Sequence, residues 1–92
     1  MAQTVAQVLA SADDSVSLIN DINTNGANSE YIAPDLSQEK VNDAVQRNVD
    51  HLEIILAWDG TGGKPDVAGS SDDKSSYTSA ITTGKAYISA NS

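Results

Sequence analysis

Reactive chemistry needs side chains with nucleophilic, proton-transferring or metal-ligating atoms, and this chain holds few of them. It has one His and no Cys. That removes disulfides, thiolate metal sites, cysteine nucleophiles and every multi-histidine metal site. His51 is then the sole imidazole for general-base work. Asp50 stands beside it, Glu53 two residues on and Arg47 one helical turn before. A catalytic His needs an orienting acid and a nucleophile in a shared pocket. Ser and Asp are plentiful, yet no nucleophile elbow or other spaced motif singles one out. The reading is therefore non-enzymatic, with no catalytic residue, no small-molecule substrate and no cofactor. His51 and Arg47 are read instead as candidates for a protein interface.

The sharpest local pattern is Asp21-Ile22-Asn23-Thr24-Asn25-Gly26. Oxygen ligands at the first, third and fifth positions followed by Gly match the opening of a calcium-binding loop. The rest departs from it: the twelfth position, which should carry a bidentate carboxylate, is Ile32, and the eighth is Asn28. A helix end in Asn and Gly is the first reading, and a degenerate calcium loop through Asp21, Asn23 and Asn25 is the lesser one. Asp59-Gly60-Thr61-Gly62-Gly63-Lys64-Pro65 invites a phosphate-loop reading and fails it. The required first Gly falls on Trp58, and the Ser/Thr after Lys is Pro65. Trp58, closing a helix and opening this Gly-rich stretch, suits either a core cap or an interface anchor, since aromatic residues are frequent at binding hot spots. Tyr77 and Tyr87 join it as interface candidates.

Composition narrows the partner class. The 92 residues carry 13 acidic and 5 basic side chains, a net charge of −8. That balance argues against direct binding to nucleic acid or an anionic membrane, both of which reward clustered Lys and Arg. No apolar run approaches the roughly 20 residues needed to span a bilayer, and the start MAQTVAQVLAS lacks the basic, densely apolar pattern of a signal peptide. The apolar fraction is 39 %, with twelve Ala and no Phe. A domain of this size buries only about 60–65 % of its unfolded surface, so an assembly component, covered by partners or copies of itself, is a natural suspicion.

Periodicity places these residues. Val5, Val8, Leu9, Ala12, Val16 and Ile19 recur at steps of three and four, predicting a helix over about 4–22 with Thr4 as its N-cap. Its middle, Ser11 to Ser15, is weak enough that one long helix and two short ones both fit. Tyr31 and Ile32 are expected to anchor the connection that follows. Asp35 and Gln38 form a capping-box pattern, with Ser37 competing, ahead of a helix over about 36–58. Residues 59–76 read as a loop. Residues 77–90 read as a third helix, with a hairpin turning at Thr83-Gly84 as the alternative. The expected fold is a single all-α domain, residues 1–92, a small three- or four-helix bundle with long polar loops. Its core would set Val41, Val45, Leu52, Ile55 and Leu56 against Val5, Leu9, Val16, Ile19 and Ile81.

Two stretches, Arg47-Asn48-Val49-Asp50-His51-Leu52-Glu53-Ile54-Ile55-Leu56-Ala57 and Ala80-Ile81-Thr82-Thr83-Gly84-Lys85-Ala86-Tyr87-Ile88, together resemble segments of small tailed-bacteriophage proteins of mostly unassigned role. The resemblance implies a virion component or assembly factor and carries no catalytic residues. On it rests the expectation of a structural protein of a bacteriophage particle, a capsid, neck or tail accessory subunit. It would sit in the virion, and in the host cytoplasm during assembly, bound to a larger virion protein or to copies of itself. The alternative is a free-standing helical protein-binding module, with or without the degenerate calcium loop.

Overall fold

The first helix starts where its capping chemistry requires. Thr4 Oγ1 accepts a hydrogen bond from the Gln7 backbone N–H (3.1 Å), and Gln7 Oε1 accepts one from the Thr4 N–H (2.9 Å), a reciprocal capping box. In the computed structural model, which describes residues 3–92, α1 (Val5–Asn25) runs unbroken, three residues past Ile22. Gly26, at φ 58°, ends it by donating its N–H to the Ile22 carbonyl. A 3-10 turn at Gly26–Asn28 and an irregular connection lead to α2 (Gln38–Leu56), and a second connection leads to α3 (Ser75–Ala90). Every pair among the three helices is in contact. The fold is thus an all-helical, three-helix bundle of 39 × 23 × 19 Å. Among the described residues, no helix is long and apolar enough to cross a membrane.

Several local expectations are corrected. Asp35 does not cap α2; it sits at φ 64°, in left-handed backbone. Ser37 caps instead, its Oγ accepting from the Lys40 N–H at 3.3 Å. The second helix stops two residues short of 58, and α3 begins two residues before 77. Thr83-Gly84 makes no hairpin, because both residues lie inside α3. Tyr31 is no anchor: its side chain is 46 % exposed, whereas Ile32 packs half-buried against the core.

Of the expected core, Leu9, Ile19, Val41, Val45, Leu52 and Ile55 are buried, while Val5, Val16, Leu56 and Ile81 pack around them half-buried. The stretch of α1 that sequence alone leaves open is held by a tertiary contact. Ser15 is buried, and its hydroxyl donates to Asn48 Oδ1 on α2 at 2.9 Å. Asn48 Nδ2 in turn donates to the Ala44 carbonyl at 2.8 Å. The amide that interrupts the apolar stripe of α2 is therefore the partner of the Ser that weakens α1. Each would be costly to bury alone; paired, they leave no orphan. Among the described residues, no buried side-chain nitrogen or oxygen lacks a partner.

The helices meet most tightly at Gly84. A Cβ placed there would lie 2.5 Å from Val49 Cγ2, 3.2 Å from Val45 Cγ1 and 3.4 Å from Ile19 Cγ2, so one glycine admits both neighbouring helices. Replacing Gly84 by Ala gains about 1 kcal/mol of helix propensity but forces an overpacked contact costing about 1–3 kcal/mol. We expect net destabilisation of Gly84→Ala in urea unfolding, relieved in part when Val49→Ala is added. A Gly84→Ala chain more stable than the parent would show that the helices do not close at this point.

Candidate functional site

The residues singled out from sequence separate into two groups once placed. Tyr77 and Tyr87 are not available for contact: they are only 6 % and 9 % exposed, turned into the core of their own chain. The spacing that puts them on one face of α3 puts them on its inner face. Tyr77 Oη donates to the Asp13 carboxylate (2.7 Å) and lies 3.2 Å from the Leu9 carbonyl. Tyr87 Oη accepts from Gln38 Nε2 at 3.0 Å, beside the Gly26 bend. Both rings tie one helix to another.

Of the two readings of Asp21 to Gly26, the helix end is the one seen: α1 runs to Asn25 and Gly26 ends it. Helix α1 continues through Asp21, Asn23 and Asn25, which sets Asn23 on a different face from Asp21 and Asn25. Asp21 is engaged on both oxygens: Oδ1 accepts from Asn25 Nδ2 at 3.0 Å, and Oδ2 accepts from the Ser29 hydroxyl. Ser29 Oγ accepts in turn from the Tyr31 N–H. The motif is a clasp that turns the chain out of α1. Among the described residues, no group of three or more His, Cys, Asp or Glu side chains is placed to hold a metal ion.

The other group stays together. Arg47, His51, Ile54 and Trp58 follow one another by four, three and four residues, which aligns them along one face of α2 and its immediate extension. This row flanks the buried stripe of α2. Arg47 and His51 are exposed, and no hydrogen bond or ion pair to either side chain occurs among the described residues, so no hydroxyl or carboxylate is brought to the imidazole. Ile54 is 58 % exposed, the barest large apolar side chain among the described residues. Sequence reasoning missed it, although an Ile out of register with the buried stripe was the available signal.

Trp58 closes this row and is fixed by backbone on both sides. Its N–H donates to the Ile55 carbonyl (3.1 Å), and its own carbonyl accepts from the Ala68 N–H (2.8 Å) as the chain doubles back. The ring is half-buried against the core, with Lys64 Nζ 5.8 Å from its centroid, within cation–π range. Trp58 thus packs against the core, as the core-cap reading requires, and keeps part of its surface exposed. The doubled-back segment is stapled by an isolated bridge between Asp59 and Asp66 and by Val67, which is fully buried. Asp59 Oδ1 accepts from the Thr61 hydroxyl (2.7 Å) and its N–H (3.2 Å), which holds the carboxyl below its ordinary range. The stretch read as plain loop therefore contributes a core side chain and a scaffold for Trp58.

No protein-family model matches the sequence, and no curated protein or solved structure matches it either.

Burial pushes the Tyr77 hydroxyl up to about 12, aided by its hydrogen bond to Asp13 and by the charges of Asp13 and Asp72. In the unfolded chain it would ionise near its ordinary value of 10.0. The folded state thus holds this proton more tightly, and its contribution is whole below about pH 10 and lost as pH rises to about 12. We expect the unfolding midpoint to fall over that window. Tyr77→Phe should flatten this fall and cost about 1 kcal/mol at neutral pH; an unchanged alkaline profile in that variant would refute the raised hold of the buried Tyr77 hydroxyl on its proton.

Proposed function

We propose that this chain is a non-enzymatic structural subunit of a tailed-bacteriophage particle, a capsid, neck or tail accessory protein. It acts by docking the outer face of α2 against a larger virion protein or further copies of itself. The observation that carries the contact role is Ile54, left 58 % exposed on a bundle whose other large aliphatic side chains are packed. Arg47 and Trp58, at the two ends of the row that holds Ile54, are of the residue types enriched at interface hot spots. The particle assignment rests on the resemblance of residues 47–57 and 80–88 to segments of small tailed-phage proteins, and Arg47, His51 and Ile54 lie within the first of these. A particle component is used in the virion and, during assembly, in the host cytoplasm.

Sedimentation of the native source material tests this reading. The chain should travel with large particles and remain with them at high salt, as apolar docking requires. Particles assembled with Ile54→Glu should lose it, by at least about tenfold in occupancy if a hot-spot contact of about 1.4 kcal/mol or more is removed. The isolated variant should unfold at nearly the same midpoint as the parent, because the side chain is exposed. Recovery of the unaltered chain only in the small soluble fraction would overturn the particle assignment and leave a free-standing protein-binding module.

A further inference from the structure

The last turn of α1 sets an amide side chain beside a backbone nitrogen able to attack it. Of the seven Asn in the chain, only Asn25 is followed by Gly. The others precede Asp, Thr, Ser or Val, whose side chains crowd the peptide nitrogen that would have to approach. Gly has no Cβ and leaves that approach open. In such a pair the Gly nitrogen attacks the Asn Cγ. A five-membered succinimide closes as the Cγ–Nδ2 bond breaks, and Nδ2 leaves as ammonia with the proton of the peptide N–H. Water then opens the ring at either carbonyl. The products are Asp and isoaspartate, whose main chain runs through Cβ and Cγ.

Three features of the fold hold this reaction back. The Gly26 N–H is spent on the Ile22 carbonyl. Asn25 Nδ2 donates to Asp21 Oδ1 at 3.0 Å, which ties the side chain back along the helix. The Asn25 backbone is helical, at φ −110° and ψ −10°. Ring closure needs another ψ, one that brings Cγ and the Gly26 nitrogen to the same side of the Cα–C bond. All three restraints, however, lie in a terminal turn, where fraying begins. Asn25 is exposed, and the last buried side chain of α1 is Ile22. Asn25 can therefore leave the helix without uncovering the apolar core. Asp59-Gly60 is the one other pair of an acid or amide with Gly, and it is a poor substrate. Hydrogen bonds from Thr61 hold the Asp59 carboxyl below its ordinary range, so it stands as a carboxylate with no group to expel.

We propose that Asn25 is a self-modifying site, converted to isoaspartate and Asp by the Gly26 nitrogen when the last turn of α1 opens locally, and that conversion undoes the clasp at the exit of α1. The product lacks the Nδ2 donor that Asp21 Oδ1 accepts. It sets a new carboxylate one turn from Asp21, a repulsive spacing, at the helix end where negative charge is disfavoured. Isoaspartate also adds an atom to the main chain, which puts the Gly26 N–H out of register with the Ile22 carbonyl. The reaction needs only water and does not restore the amide, so each molecule passes through it once.

The test is incubation of the whole chain in mildly alkaline buffer, with and without concentrated urea. Peptide mass mapping locates the converted residue, and enzymatic methylation counts isoaspartate. Asn25 should be the first Asn converted under both conditions. Conversion of the native chain should be measurable yet at least about tenfold slower than in urea. Asp21→Ala frees Nδ2 and should raise the native rate about fivefold, while leaving the rate in urea unchanged. Asn25→Asp, which carries one product in place from the start, should melt about 4 °C or more below the parent. First conversion at another Asn overturns the proposal, and so does a native rate equal to that in urea. No conversion of the native chain, or an unchanged native rate in Asp21→Ala, overturns the gating by the last turn. An Asn25→Asp chain as stable as the parent overturns the loss of the clasp.

Discussion

Everything in this bundle depends on how closely three helices made of small side chains can approach. Val, Ala and Ile offer little area each, so the core is worth having only if the backbones come near enough for all of it to interlock. Gly84 is the point at which they do. Its missing Cβ leaves the space that Val49, Val45 and Ile19 fill, and α3 thereby reaches α1 and α2 together. From that contact follow the burial of Tyr77 and Tyr87 on either side of Gly84 along the same helix face and the hydroxyl ties each makes to a second helix. The Ser15–Asn48 pair meets the polar requirement of the same close approach. It favours the observed faces of α1 and α2, because burying Ser15 without Asn48 beside it would leave a hydroxyl without a partner.

With its inner surfaces committed in this way, the bundle is left with one helix face that works differently. The inward face of α2 packs at Val41, Val45, Val49 and Leu52. The outward face carries a bare Ile between an imidazole and an indole. Trp58 belongs to both worlds, because the returning chain pins its backbone at the point where the helix ends. The row stands on a regular helix and ends at a Trp whose backbone is held on both sides.

Much of this is legible in the sequence, and the reasons are local. The three-and-four spacing of Val8, Leu9, Ala12 and Ile19, and of Val41, Val45, Val49 and Leu52, follows from helix geometry and needs no knowledge of partners. Thr4 with Gln7, and Gly26 after Asn25, mark helix ends by the same local chemistry. What periodicity cannot supply is which side of an amphipathic segment faces in when its aromatics carry polar tips. Tyr77 and Tyr87 suit an interface or a core equally until Asp13 and Gln38 are seen beside their hydroxyls. The choice between Asp35 and Ser37 as the cap turned on one backbone angle, the positive φ of Asp35, which no composition rule fixes. Val67 was hidden for a different reason: a single apolar residue in a Gly-rich stretch has no period, and only tertiary contact reveals it as core.

That buried Val67 divides the long connection into parts with opposite mechanical character. The piece from Asp66 to Ser70 is a member of the cooperative folding unit. Exposing Val67 means opening the core, so the amide of Ala68 exchanges its hydrogen only as readily as the molecule unfolds around it. Four residues earlier, Gly62 and Gly63 have open space where a side chain would stand and carry no such obligation. The chain therefore has a natural splice point at 62–63, where extra sequence, a fluorophore or a fused domain can be inserted without entering the cooperative unit.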